Sequence, residues 1–118
     1  MAKEVPFDAE AFLPLKKDAF HILVALADSD RHGYSIMREV ALRTDGKVRL
    51  SPSGLYGAIK WMLEDGLIEE LTERPAPEED DERRRYYRLT RRGRQVAQAE
   101  ARRLESLLRY VKASGLLR

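Results

Sequence analysis

The chain has 118 residues, which is enough for one domain with a buried core, with or without an additional helical arm. Hydrophobic residues make up 43% and charged residues 36%, as is typical of a soluble globular protein with a strongly charged surface. There is no cysteine, so disulfides, thiol catalysis and thiolate metal sites are excluded. No apolar run is long enough to span a membrane and no signal peptide is visible, so we expect a cytoplasmic protein without a membrane partner.

Charge is distributed unevenly along the chain, although its net value is only +2. Residues 66–82 contain eight carboxylates and one arginine, whereas residues 83–94 contain seven arginines and no acid. Such segregation indicates a charged patch of the kind that binds nucleic acid. The alternative is that the two blocks neutralise each other across a hairpin.

The chain begins with residues 1–14, in which prolines flank apolar residues, and we expect an arm with a short helical turn that docks on the domain or on a partner subunit. Residues 15–27 then show helical spacing, which predicts a first helix. Its inward-facing residues are Ala19, Ile22, Leu23, Leu26 and Ala27. Residues 28–33 predict a polar turn. The two histidines, His21 and His32, make a poor metal site without cysteine, and both are interpreted as structural or incidental.

A second helix is predicted over residues 34–43, and a third helix starts near residue 51. Ser51 and Ser53 are N-cap candidates for the third helix, and Pro52 suits its first turn. Gly66 marks its end, because glycine is the usual residue just beyond a helix C-terminus.

The third helix has two distinct faces at about 100° per residue. Four apolar residues can be buried together: Leu55, Ile59, Met62 and Leu63. The opposite face is small, hydroxylated and cationic, without a carboxylate: Ser53, Tyr56, Gly57 and Lys60. Such a face suits the major groove of DNA, where small residues allow close approach and Lys60 reaches a phosphate or a guanine edge. The alternative is an ordinary amphipathic helix whose polar face meets only water.

Two strands are predicted after the third helix. Residues 67–72 read as one strand, and residues 85–89, which alternate and carry aromatics, read as another. The loop between them has two prolines and five consecutive acids at residues 78–82, so it cannot lie inside a sheet. Three helices followed by two strands and a charged loop predict a winged helix-turn-helix over residues 15–90, in which the third helix reads DNA.

The longest helix is predicted from Arg91 to about Ala113, with Thr90 as its N-cap. Its length of about 30 Å exceeds what a small winged domain needs. Its apolar stripe is therefore better explained by a partner helix, which implies a homodimer, than by folding back on its own core. The stripe consists of Val96, Ala97, Ala101, Leu104, Leu107, Leu108 and Val111, and the last four are the predicted dimer interface.

The fold class predicted from these elements is mainly α with a small β-wing. We divide the chain into an N-terminal arm at residues 1–14, a winged helix-turn-helix at residues 15–90 and a C-terminal dimerisation helix at residues 91–118.

Three motifs resemble those of the PadR-like winged-helix transcriptional regulators. They are HGYSIMREV at residues 32–40, SGLYGAIKWMLEDGLIEE at residues 53–70 and RRRYYRLTRRG at residues 83–93, followed by the long C-terminal helix. The chain is similar to the compact members, which end after one dimerisation helix. The resemblance implies a homodimer that binds an inverted-repeat operator, usually as a repressor.

The resemblance also implies the residues that touch DNA. These are Tyr34, Ser53, Tyr56 and Lys60 on the helices, with Arg83, Arg84 and Arg85 at the base of the second wing strand meeting phosphate or the minor groove. A small molecule, commonly aromatic, releases many members from DNA and binds near the dimer interface. This chain departs from the family pattern in two places. Gly54 replaces a frequent threonine and removes a hydroxyl, and the acidic wing tip would repel phosphate.

Two other classes of function are weighed against a DNA-binding repressor. One is a winged-helix module that has lost DNA binding and binds proteins through its dimer helix and acidic wing. The other is an enzyme, but the sequence has no glycine-rich phosphate loop, metal constellation or histidine–nucleophile motif. We therefore expect no catalytic residue, no metal site and no cofactor.

Overall fold

The computed structural model describes residues 6–71 and 85–118. The elements in chain order are a 3-10 turn (Ala9–Phe12), α1 (Lys17–Ala27), β1 (Arg31–His32), α2 (Gly33–Arg43), α3 (Pro52–Glu64), β2 (Ile68–Glu70), β3 (Tyr86–Leu89) and α4 (Arg91–Ala113). The predicted fold class, mainly helical with a small β-wing, is confirmed, and β2 and β3 form the described part of the wing.

The hydrophobic core lies between the first three helices, the sheet and the first half of α4. Its fully buried side chains include Ile22, Leu23, Ile36, Leu55, Met62, Leu67 and Val96. One inward residue predicted for α1 is wrong: Ala27 is exposed, and Ala25 is buried instead. The buried arc of α1 is centred on Ile22 and Leu26, and at about 100° per residue Ala27 falls beyond one edge of this arc while Ala25 falls inside the other.

The sheet has three antiparallel strands in the order β1–β3–β2. Ile68 pairs with Leu89 in the wing, and Arg31 pairs with Tyr87 on the other side of β3. The sequence predicted only the two wing strands and placed residues 31–32 in a polar turn, which is wrong. Two extended residues are enough to pair with β3, whose edge would otherwise present unpaired backbone groups.

Side-chain caps fix the starts of three helices. Ser51 Oγ accepts from the Gly54 amide at 3.0 Å, and Thr90 Oγ1 accepts from the Gly93 amide at 3.1 Å, so both predicted caps are confirmed. The cap of α2 is His32, whose Nδ1 accepts from the Ser35 amide at 3.1 Å. The structural interpretation of this histidine is therefore also confirmed.

The first turn of α4 is held directly against the backbone that follows α3. The Thr90 hydroxyl donates to the Gly66 carbonyl at 2.6 Å, and the Thr90 amide donates to the Leu67 carbonyl at 3.0 Å. Gly93 makes this approach possible, because a Cβ at Gly93 would lie 1.9 Å from the Leu67 carbonyl oxygen.

The described part of the N-terminal arm, residues 6–14, docks on its own domain, which was one of the two expected outcomes. Phe7 and Phe12 pack on the core with ring centroids 5.7 Å apart, and the Arg92 guanidinium lies 4.9 Å from the centre of the Phe7 ring. At the end of the arm, the Leu15 amide donates to a carboxylate oxygen of Glu100 at 2.9 Å. This contact ties the arm to the middle of α4.

Glu100 is the buried polar residue of the described core, with 2% of its surface exposed. The hydrogen bond from Arg103 lowers the pKa of Glu100 below its ordinary value, and the Leu15 amide adds to this effect, while burial opposes it. The carboxylate is therefore charged in the folded chain at neutral pH, and it accepts one hydrogen bond from Leu15 and two from Arg103.

Gly93→Ala should lower the free energy of unfolding by about 2–3 kcal/mol, because the new Cβ meets a backbone carbonyl that cannot move alone. Urea unfolding at fixed protein concentration measures the change. The control is Gly57→Ala in α3, where a Cβ meets no atom within 4 Å. That variant should gain about 0.5–1 kcal/mol from helix propensity. Equal urea midpoints for the two variants would contradict the close approach at Gly93.

Glu100→Gln should lower the free energy of unfolding at pH 7 by about 1–2 kcal/mol, because charge-assisted hydrogen bonds are lost. The pKa of Glu100 is lower in the folded chain than the ordinary 4.5, so its charge stabilises the fold above pH 4.5. This stabilisation disappears as the pH falls through the folded pKa. The difference between wild type and variant should therefore shrink at low pH, and a pH-independent difference would exclude this role of the carboxylate.

Candidate nucleic-acid interface

The two faces of α3 are arranged much as the sequence predicts. Leu55, Ile59 and Met62 are buried, and the opposite face is open to solvent. Leu63 is an exception, since 37% of its surface is exposed. At about 100° per residue, it lies some 40° beyond Ile59, at the edge of the buried arc.

The exposed face contains each of the residues predicted for it: Ser53, Tyr56, Gly57 and Lys60. The prediction that this face carries no carboxylate needs a correction, because Glu64 falls on it at about 100° per residue. Glu64 is the last residue of α3, so the first three turns of the face are free of acid. Those turns are the part of α3 that can approach DNA phosphates without repulsion.

Tyr34 and Tyr56 come together at the start of α2. Half of the Tyr56 surface is exposed, and the rest covers Gly33, where a Cβ would lie 2.5 Å from the Tyr56 hydroxyl oxygen. Tyr34, which is 56% exposed, stacks on His32 with centroids 6.4 Å apart, and His32 meets the edge of Tyr86 at 5.2 Å. We call these three tyrosines and the histidine the aromatic cluster. It joins α3, the start of α2 and the wing.

Lys60 is exposed and, within residues 6–71 and 85–118, has no ion-pair partner. A lysine that is not neutralised inside the chain keeps its full charge for an external anion. Ser53 lies about two turns before Lys60 on the same face, and Gly57 lies between them with open space where a side chain would be. This part of α3 is therefore both cationic and shallow.

Of the three arginines predicted at the wing base, Arg85 belongs to the described residues. Arg83, Arg84 and the acidic wing tip lie outside the described residues. Arg85 is exposed, and its guanidinium lies 3.4 Å from Glu70 across the wing. Exposed pairs of this kind contribute only about 0–1 kcal/mol, so Arg85 can exchange Glu70 for a phosphate. This pair joins the acidic and basic blocks, and Glu69, which pairs with Arg88 across the wing, interacts with it in the same sense.

Two further arginines of the basic block have structural roles that the sequence did not reveal. Arg88 lies 2.9 Å from Asp30, a residue in the connection between α1 and β1. This pairing raises the pKa of Arg88. Arg94 donates to the carbonyl of Ala27 at the end of α1 with a distance of 3.0 Å. Neither arginine is on the predicted DNA face.

An ion-pair network also joins α2 to the end of α1. Arg43 lies 2.7 Å from Glu39 and 3.0 Å from Asp28. Arg31 donates to the Ala25 carbonyl at 2.7 Å. The hydrogen bond to Glu39 raises the pKa of Arg43 against the effect of burial. The network fixes the direction of α2, whose first turn carries one of the predicted DNA contacts, and no sequence pattern pointed to it.

A family model for the transcriptional regulator PadR-like family matches residues 22–99, from α1 into the buried half of α4. The chain belongs to this family. It is a family of DNA-binding transcriptional regulators and not of enzymes. The predictions of a DNA-binding regulator and of a protein that is not an enzyme are therefore confirmed.

Solved structures support the same fold for this PadR-like chain. A PadR family transcription regulator from Clostridium difficile matches with a TM-score of 0.69 and 21% identity over 83% of this chain and 97% of that one. A transcriptional regulator from Clostridium thermocellum matches with a TM-score of 0.67 and 23% identity, over 80% of this chain and 89% of that one. A zinc-responsive MarR family member from Lactococcus lactis matches with a TM-score of 0.62 and 22% identity, over 98% of this chain and 72% of that one. No curated protein matches the sequence.

In the part of the PadR-like chain that the structure describes, no group of three or more side chains could hold a metal ion. None of the helices described is long and apolar enough to cross a membrane.

The apolar stripe of α4 divides at Glu100. Before it, Val96 is buried in the core. After it, the predicted interface residues lie on a helix that extends away from the core and are only partly covered: Leu104, Leu107, Leu108 and Val111. Leu107, for example, is 51% exposed. The assignment of these residues to a dimer interface stays a prediction.

Proposed function

We propose that this PadR-like regulator is a homodimeric repressor that binds an inverted-repeat operator with one α3 in each half-site. The observation that supports this best is the exposed face of α3, whose first three turns carry Ser53, Gly57 and Lys60 and no acid. Lys60, which has no ion-pair partner among the described residues, lies on a shallow helix face that suits the major groove, where a phosphate or a guanine edge accepts its hydrogen bonds.

The aromatic cluster gives α3 a fixed partner on one side. Tyr56 packs on Gly33, the residue before Tyr34, and both tyrosines are about half exposed at the protein surface. In this proposal the two tyrosines donate to phosphates at the edge of the groove. Arg85 extends the same contact line at the base of the wing, and Arg83 and Arg84, which precede it in the sequence, remain proposed contacts.

The exposed half of α4 supports the proposed homodimer. Four apolar side chains at helical spacing remain partly open beyond Glu100, and soluble monomers seldom leave such a stripe uncovered. A second copy of α4 would cover it with matching side chains. A two-fold dimer would then place its two α3 helices about 34 Å apart, one turn of DNA.

A small aromatic effector remains part of the proposal. A shallow depression on α4 is lined by Ser106, Arg109, Tyr110 and Ala113, on the side of the helix away from the proposed interface. Tyr110 is 77% exposed there, so its ring is available for stacking. The cytoplasmic location also stays a prediction.

Lys60→Glu should weaken binding to duplex DNA from upstream of the protein's own gene at least tenfold, because it places a carboxylate among phosphates. Fluorescence anisotropy at moderate salt, with a scrambled duplex for comparison, measures this. The matched control is Lys47→Glu, an exposed lysine in the turn after α2. Equal weakening by both variants would exclude a special role of α3. If the wild type binds neither duplex at low salt, the protein-interaction module is the better function.

Leu108→Glu should convert the dimer to monomers, because it places a charge in the middle of the proposed interface. Sedimentation equilibrium measures the mass, and operator affinity should fall with it. Ser106→Glu is the control, since Ser106 is exposed and about 160° away from Leu108 on α4. A dimer that persists in Leu108→Glu would show that this stripe is not the interface.

A further inference from the structure

A second cationic surface lies beside α3, on the side away from the wing. It is a groove between the start of α1 and the exposed face of α3, and we call it the α1–α3 groove. Lys16 and Lys17 line it from α1, and Ser53, Gly54, Gly57 and Trp61 are among the residues that line it from α3. Neither lysine belongs to a motif that predicts a function.

The α1–α3 groove is continuous with the proposed DNA face. At about 100° per residue, Tyr56 and Trp61 lie on opposite flanks of α3, with Ser53 and Gly57 between them. Tyr56 packs toward α2, whereas Trp61 faces the groove. Ser53 and Gly57 therefore belong to both the DNA face and the groove, and no other element separates the two.

The two lysines are placed where the chain itself does not favour a cation. Lys16 is the N-cap of α1 without a side-chain capping bond, and Lys17 is its first residue. The positive end of the helix dipole disfavours cations there. Both lysines are exposed, and in the described part of the chain neither has an ion-pair partner. Asp18 also lines the groove, so the lining keeps one net positive charge.

The groove is also accessible to a large ligand. A Cβ at Gly57 would meet no atom within 4 Å, and a Cβ at Gly54 would meet only the Ser51 hydroxyl. The wall that α3 contributes is therefore low, and it carries no charged side chain. An anionic chain can lie along it within reach of the lysines.

The geometry of a DNA duplex identifies this anionic chain as a phosphate backbone. A helix with its side chains is about 10–12 Å wide and fills a major groove about 12 Å wide, so a phosphate backbone runs along each flank. The aromatic cluster and Arg85 account for one flank of α3. The α1–α3 groove is the cationic surface on the other flank.

We propose that Lys16 and Lys17 bind the phosphate backbone on the far side of the half-site, so that α3 is held between two backbone contacts. The inference rests on the proposed operator binding and adds residues that set affinity and register. Because phosphate contacts carry no base identity, these lysines strengthen binding to operator and non-specific DNA alike.

The test is the double variant Lys16→Gln/Lys17→Gln in the full chain, with Lys47→Gln as a control that removes one positive charge elsewhere on the surface. Affinities for the upstream duplex and a scrambled duplex are measured between about 50 and 200 mM salt, the range over which phosphate contacts change affinity most visibly. Each lost contact should reduce the slope of log affinity against log salt by about 0.9. We expect the slope to fall by about 1–2, the affinity to fall about tenfold at moderate salt, and the operator preference to stay unchanged.

The outcomes separate the two proposals. If the wild type prefers the upstream duplex and the double variant matches it in affinity and salt slope, the inference fails and the proposed function stands. If the double variant loses operator preference rather than affinity, the lysines contact bases and the phosphate assignment is wrong. If the wild type binds no DNA, both proposals fail.

A second measurement reports on the groove itself. Trp61 is the only tryptophan and lies in the groove, so its fluorescence should change when the wild type binds DNA. Replacing single flanking phosphates with neutral methylphosphonates should weaken the wild type at one or two positions. The double variant should be insensitive at the same positions, and equal sensitivity of both proteins would overturn the assignment.

Discussion

Everything that follows α3 is oriented by the contact between the first turn of α4 and the backbone of Gly66 and Leu67. Two hydrogen bonds from Thr90 and the missing side chain of Gly93 let the helix begin against main-chain atoms rather than side chains. The end of α3, the start of the wing and the start of α4 therefore share one rigid point. In a dimer built on α4, the direction of each α3 relative to the two-fold axis is set at this point, which is what operator spacing requires.

A second close approach, between Tyr56 and Gly33, positions the proposed DNA face of α3 against α2. Gly33 leaves room for Tyr56, so α3 and the start of α2 meet through an aromatic ring and not through backbone alone. His32 caps α2 and also stacks between Tyr34 and Tyr86. One histidine thus sets the start of a helix and supports a proposed contact residue. Its position is determined by local hydrogen bonding and by packing at once.

The features that the sequence predicts well depend on neighbouring residues. The caps at Ser51 and Thr90, the buried face of α3 and the span of α4 are examples, because capping and helical periodicity act within a few residues. The features that it missed join distant parts of the chain. Pairing of residues 31–32 with β3 and the bond between Leu15 and Glu100 have no local pattern, since each partner is only specified once the fold brings it close.

The same distinction applies to the candidate site. Lys60 and Ser53 were found because a helix face without acid is visible in sequence, whereas Lys16 and Lys17 became interesting only when the fold placed α1 beside α3. A signal was present in principle, because two lysines at a helix start are unusual. It has no meaning until the surface they share is known. Arginine counts were misleading for a related reason, since Arg88 and Arg94 hold the fold together.

The division of α4 at Glu100 has a consequence for the level of the protein in a cell. The first half of the helix is held by the arm and the core, but the last four turns have no support from the described chain. An isolated helix of about 12–15 residues is marginal in water, so in the proposed homodimer the second copy of α4 would support the order of these turns. Newly made chains below the association threshold would expose frayed, leucine-rich ends to proteases. The fraction of chains that escape proteolysis and the fraction that form dimers would then both rise with protein concentration. Occupancy of the proposed operator would therefore rise more steeply with concentration than DNA binding alone allows.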